Sequence, residues 1–124
     1  MPMSSAQQDA ACDFLRRVVA GDVDGAFHRH VHPDFVHHNP SAAGDREGLR
    51  RAMLANEAAL PGKSIDIRIV LEDGDRVCTA SLVTTPGMRV AVTHIFRFQD
   101  GLIRELWDVG QLVPTDSPNE NGPF

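Results

Sequence analysis

The chain has 124 residues, a length that suits one domain and is too short for two ordinary ones. With 42% apolar and 23% charged residues it can build a core without metals or disulfides, which excludes disordered, collagenous and disulfide-framework classes. Seventeen acidic residues against twelve basic ones give a formal net charge of −5, a balance that speaks against nucleic acid as a partner. No stretch approaches the roughly 18 apolar residues of a membrane span. Residues 1–13 lack the basic and apolar pattern of a secretory leader, so a cytoplasmic protein with no membrane partner is expected. Cys12 and Cys78 form no CxxC pair and read as two reduced thiols.

The first half has helical periodicity. Ala10, Ala11, Phe14, Leu15, Val18 and Val19 fall on one helix face, with Ser5 and Gln8 as a capping box and Gly21 as a stop. Asp22 caps a short second helix whose Val23, Ala26, Phe27 and Val31 point one way, and Pro33 ends it. Phe35-Val36-His37-His38 is a short extended piece closed by Asn39-Pro40. A third helix is expected from about Arg46 to Leu60, with Asp45 at its start, Leu49, Ala52, Met53 and Leu60 inward, and Pro61-Gly62 as its stop.

From Ser64 the period becomes two. Ile65, Ile67, Ile69 and Leu71 are expected on one face of a strand, and Asp73-Gly74 turns into a second strand over Arg76 to Thr84. Thr85-Pro86-Gly87 leads to a third over Met88 to Phe98, and Asp100-Gly101 to a fourth over Leu102 to Val109. The predicted fold is therefore α+β, three helices on one face of a curved antiparallel sheet of about four strands plus a short extra one, leaving a gap for a small ligand. The whole chain reads as a single domain ordered over about residues 6–114, with a frayed tail over about 115–124.

Five of the six histidines lie between positions 28 and 38. His28, His30 and His32 have no Asp, Glu or Cys partner placed by the sequence, so a polar helix end is preferred to a metal site. His37 and His38 point to opposite sides of an extended segment, so only one enters a pocket, and Asn39 either lines that pocket or simply closes a turn. In the third strand His94 shares a face with Val90, Val92, Phe96 and Phe98. Leu102, Arg104, Leu106 and Asp108 are expected on one face of the fourth strand, with Ile103, Glu105, Trp107 and Val109 on the other.

The turn between these strands decides whether His94 and Asp108 meet. A two-residue turn at Asp100-Gly101 puts His94 opposite Trp107 and turns Asp108 away. A three-residue loop, with Gly101 in a bulge, pairs Phe98 with Leu102 and His94 with Leu106, leaving Asp108 diagonally adjacent on the same face. A carboxylate among apolar groups is raised toward neutrality by desolvation and can remove a proton beside a carbonyl. A neighbouring His or Asn can then donate to the enolate oxygen. The plainer alternative for Asp108 is a strand-end carboxylate paired with Arg104 or with solvent.

The segments from His32 to Pro40 and from Ile95 to Pro114, with their His-Asn-Pro and Trp-Asp-Val-x-Gln pieces, resemble the SnoaL-like polyketide cyclases of the nuclear transport factor two-like superfamily. The resemblance runs from about Ala11 to Pro114. It implies a cone-shaped fold with an apolar cavity, a homodimer through the outer sheet face, and cofactor-free acid–base chemistry. It also implies that Asp108 is the general acid/base of an aldol-type closure with His94 beside it, and it favours the three-residue loop. Related chains with the same Trp-Asp-Val ending often carry Asp where this one has His94. The expectation is an enzyme acting on a small hydrophobic carbonyl compound by cyclisation, isomerisation or dehydration. His38 and Asn39 would orient the carbonyl, and Phe96, Phe98, Met53 and Trp107 would form the walls, with no metal. A non-catalytic binding protein and an epoxide hydrolase are the alternatives.

Overall fold

The computed structural model describes residues 4–124. Three helices, α1 (Ala6–Val19), α2 (Val23–His30) and α3 (Arg46–Ala59), and five strands, β1 (Val31–His37), β2 (Ser64–Asp73), β3 (Arg76–Thr85), β4 (Met88–Gln99) and β5 (Leu102–Leu112), follow the anticipated α+β order. The strands form one curved, open sheet in the order β1-β5-β4-β3-β2. Every pairing is antiparallel except β1 with β5, which is parallel and makes the sheet mixed. Among the described residues no helix is long and apolar enough to cross a membrane.

Each helix starts on a side-chain oxygen that accepts an otherwise orphaned backbone N–H: Ser5 from Gln8, Asp22 from Gly25, and Asp45 from Gly48. The capping box at Ser5 is only half made among the described residues: Ser5 Oγ accepts from the Gln8 backbone N–H at 3.1 Å, while the Gln8 side chain points to Glu72, donating to its Oε1 at 3.2 Å, and does not accept from the Ser5 backbone N–H. Gly21, at φ 93°, takes the left-handed position that stops α1. The second helix ends at His30, three residues before Pro33, because Val31 is already extended and enters β1.

The core lies between helices and sheet. Phe14 packs against Phe27 and Phe96, with ring centroids at 5.7 and 6.1 Å, and Phe27 against Phe35 at 6.4 Å. Val77, Phe98, Ile103 and Leu106 complete the sheet side of this cluster.

Two irregularities in the sheet depart from strict alternation. In β2 the pairing shifts between Ile67 (opposite Ser81) and Ile69 (opposite Ala80), so Arg68 is an extra residue. Ile65, Ile67 and Val70 therefore pack on the core, while Ile69 and Leu71, expected inside, stand 47% and 63% exposed on the other face. In β5 the turn is the tight two-residue form: Gln99 pairs with Leu102, and Asp100 and Gly101 have φ of 54° and 77°, both positive as a type I′ turn requires. The three-residue loop is not formed. Instead the register shifts between Arg97 (opposite Glu105) and Phe98 (opposite Ile103), leaving Arg104 as the extra residue. That bulge places Ile103 on the inner face together with Leu106 and Asp108, correcting the expected grouping of Leu102 and Arg104 with them.

Candidate active site

The Arg104 bulge brings Asp108 directly opposite His94 on the inner face, one step closer than the diagonal expected from a looser loop. Directly opposed strand residues have Cβ atoms about 5 Å apart. The ring of His94 is buried and stacks on Phe96 with centroids 5.8 Å apart. Burial pulls its pKa down to about 4, against the opposing pull of the Asp108 carboxylate, so the ring is neutral near pH 7. Among the described residues His94 Nδ1 has no hydrogen-bond partner.

Asn39 is the third member. It leaves β1 ahead of Pro40, and its amide Nδ2 donates to Asp108 Oδ2 at 3.1 Å. Its own Oδ1 accepts from the Ser41 amide at 2.8 Å, which fixes the donor end of the side chain toward Asp108. Beneath it, His37 Nδ1 accepts from the Asn39 backbone N–H at 3.1 Å. The Nε2–H of His37 must then be the donor to the Ala43 carbonyl at 2.6 Å. The same carbonyl closes against Gly48, where any Cβ would lie 2.2 Å from the Ala43 oxygen. The segment from Asn39 to Asp45 is thus pinned at several points, and the amide is held in place for the carboxylate.

These three residues stand at one end of a pocket of about 400 Å³ between α1, α3 and the inner sheet face. Its walls are mainly apolar: Leu15 and Val18 from α1, Met53 from α3, and Val90 and Val92 from β4. Asp108 is half-buried there. Arg104, the partner in the plainer alternative for Asp108, donates instead to the Asp34 carbonyl, and no cation pairs with Asp108 among the described residues.

Of the residues expected at the site, Asp108, His94, Asn39 and Met53 come together at this pocket. Phe96 and Phe98 do not line it. They are spent on the core, because their positions on β4 lie past His94 beneath Phe14 and its neighbours. His38 and Trp107 are on the opposite face of the sheet, their rings stacked at 5.1 Å, with His38 Nε2 2.6 Å from Glu105 Oε2. Trp107 alternates with Asp108 and so must face away from it, and His38 alternates in the same way with the buried His37. Sequence reasoning missed Ser41, Lys63 and Thr85, which also line the pocket. The alternation of Val90 and Val92 with His94 was the one signal for this wall.

Among the described residues no three His, Cys, Asp or Glu side chains gather as a ligand set. His28 is exposed, His30 bonds Asp13 at 2.6 Å, and His32 accepts from the Asp34 amide. A wider groove of about 720 Å³ passes Asp13 and His30. The bonds from His30 and Arg17 hold Asp13 down at about 2, which leaves it no basicity for proton transfer near neutral pH.

A SnoaL-like domain model matches residues 11–106. No curated protein matches the chain. Among solved structures, a polyketide cyclase candidate from Acidithiobacillus ferrooxidans is 22% identical with a TM-score of 0.77, over 90% of this chain and 92% of that one. AclR from Streptomyces galilaeus, a hydroxylase candidate, is 25% identical at TM-score 0.70, over 87% and 91%. An NTF2-like protein from Burkholderia xenovorans is 18% identical at 0.74, over 91% and 88%. The chain shares the NTF2-like fold of these structures and belongs to the SnoaL-like family.

Proposed function

We propose that the protein is an acid–base enzyme acting on a small hydrophobic carbonyl compound, and that its chemistry runs on its own side chains without a cofactor. The observation that carries this reading is the meeting of Asp108, His94 and Asn39 at one end of an otherwise apolar pocket. A carboxylate oxygen of Asp108 takes the α-proton, and the C–H electron pair moves into the carbonyl to give an enolate. The enolate carbon attacks a second carbonyl of the same molecule, and Asp108 returns the proton to the oxygen that forms. Asn39 holds Asp108 in place, and the neutral His94 ring steadies the developing charge by its dipole, without transferring a proton of its own.

That no cation pairs with Asp108 among the described residues favours catalysis over simple binding, because a carboxylate held by Arg104 would not be free to meet a substrate. Replacing Asp108 by Asn and assaying a panel of aromatic polyketide-like ketones tests the assignment. Turnover is expected to fall at least a hundredfold, in line with loss of a general base. Unchanged turnover would remove Asp108 from the role, and ligand binding without turnover by the wild type would leave a binding protein.

We further propose that the protein is a homodimer through the outer sheet face. A band of apolar groups crosses that face, with Leu71, Cys78, Ile95 and Trp107 in one row across four strands.

A further inference from the structure

The pocket has a second polar end, and it carries the only lysine of the chain. Lys63 lies between the Pro61-Gly62 stop of α3 and the first residue of β2. Its side chain is 8% exposed, and its ammonium donates to Glu57 Oε2 at 2.7 Å and to the Leu60 carbonyl at 3.1 Å. An ammonium has three N–H donors, and these two bonds leave one over. The contact with Leu60 caps the carbonyl end of α3, which has no basic residue in its last turn. Capping alone is served equally well by an exposed lysine, whereas here the side chain is buried and lines the same pocket as Asn56 and Thr85.

The two polar ends lie far apart along the sheet. Ser64, the neighbour of Lys63, pairs with Thr84, and Thr85 pairs with Met88, six residues before His94 on the same strand. Six strand steps span about 20 Å, and side chains reaching in from both ends leave about half of that. Charge narrows the choice of ligand. Glu57 already neutralises Lys63, so a ligand carboxylate would set a second anion beside Glu57. A hydroxyl or carbonyl oxygen accepts the spare N–H without that penalty.

We infer that Lys63 is a specificity-determining residue that binds a neutral oxygen at the end of the substrate remote from the reacting carbonyl. The substrate class is then a flat, elongated, largely apolar carbonyl compound with a hydroxyl or second carbonyl at its far end. This inference rests on the proposed placement of the reacting carbonyl at Asp108.

The test uses the full chain and three probes: 2-acetylnaphthalene, its 6-hydroxy derivative and its 6-carboxy derivative. Calorimetry is expected to show the hydroxy compound binding about tenfold tighter than the parent, the effect of one charge-assisted hydrogen bond, and the carboxy compound no tighter than the parent. Because the chain has one lysine, its ε-methylene carbon resonance needs no assignment, and it is expected to shift with the hydroxy compound and not with the parent. Lys63→Met is expected to abolish the preference for the hydroxyl, and Lys63→Arg to restore part of it. Equal binding of parent and hydroxy compound to the wild type, or an unmoved lysine signal, overturns the inference alone. Failure of all three probes to bind the wild type overturns it together with the pocket reading beneath it. Should Lys63→Met not fold, the wild-type affinities and the lysine resonance decide the matter by themselves.

Discussion

The protonation state of a single imidazole sets what the pocket can do. His94 has surrendered its hydration to sit against Phe96, and its pKa of about 4 means that it stays neutral through the whole physiological range. Its ordinary value in the unfolded chain is 6.5. Between these two values the unfolded state binds the extra proton, so stability falls as pH drops from about 6.5 to about 4 and levels off below. The shift corresponds to up to about 3 kcal/mol. His94→Gln is expected to flatten this acid limb relative to the wild type, as read by denaturant unfolding at a series of pH values. An unaltered limb would mean that the ring is not desolvated as the structure indicates.

Single residues were also where the sequence said most. Asp108, His94 and Asn39 were identifiable because an ionisable group at an apolar alternating position, or an Asn before Pro at a strand end, is out of keeping with its surroundings. Lys63 was not, since a lone lysine after a Pro-Gly stop looks like any solvated helix end. Only its packing against the pocket distinguishes it.

Strands make the site, and two inserted arginines decide which way they face. The sequence from Ile65 to Leu71 has apolar residues at Ile69, Val70 and Leu71 in succession, so alternation there fits either face and the bulge at Arg68 leaves no mark. In β5 the same ambiguity hid the bulge at Arg104. The Asp100-Gly101 pair marked where the turn falls but suited a two-residue and a three-residue form alike, and the two-residue form that the chain adopts gives the wrong register by itself because the correction comes three residues later. Deleting Arg104 alone removes only the extra residue and is expected to leave His94 opposite Asp108. Deleting Arg104 and Glu105 together, one residue more than the bulge holds, is expected to flip every following residue of β5, turning Leu106 and Asp108 outward and Trp107 inward. The expected cost of the double deletion is about 3 kcal/mol or more, since Leu106 leaves the core. Activity should be lost even in the fraction that remains folded. A double-deletion variant with wild-type stability would show that the pairing with β4 does not hold the register.

At the level of the whole molecule, the sheet separates two surfaces with different duties. The inner face carries the core and pocket, while the outer face carries Ile69, Leu71, Ile95 and Val109 at exposures from 36% to 74%. An apolar band of this kind is unusual on a monomer. Sedimentation is expected to give a dimer at micromolar concentration, and Ile95→Glu a monomer. The wild type sedimenting as a monomer at high concentration would rule the dimer out. The helix order and the sheet were readable from periodicity, because amphipathic helices and strands must bury their apolar faces wherever the chain leads them. The parallel pairing of β1 with β5 was not, since no local signal says which sheet edge a strand will join.

The proposal stands or falls on whether Asp108 takes a proton from carbon. Incubating the protein with 2-acetylnaphthalene in D2O and following the acetyl protons by NMR measures that step without knowledge of the natural substrate. Exchange faster than in buffer is expected for the wild type, and its loss is expected for Asp108→Asn. Binding of the ketone with no exchange above the buffer rate, or equal exchange by the two proteins, would contradict the assignment.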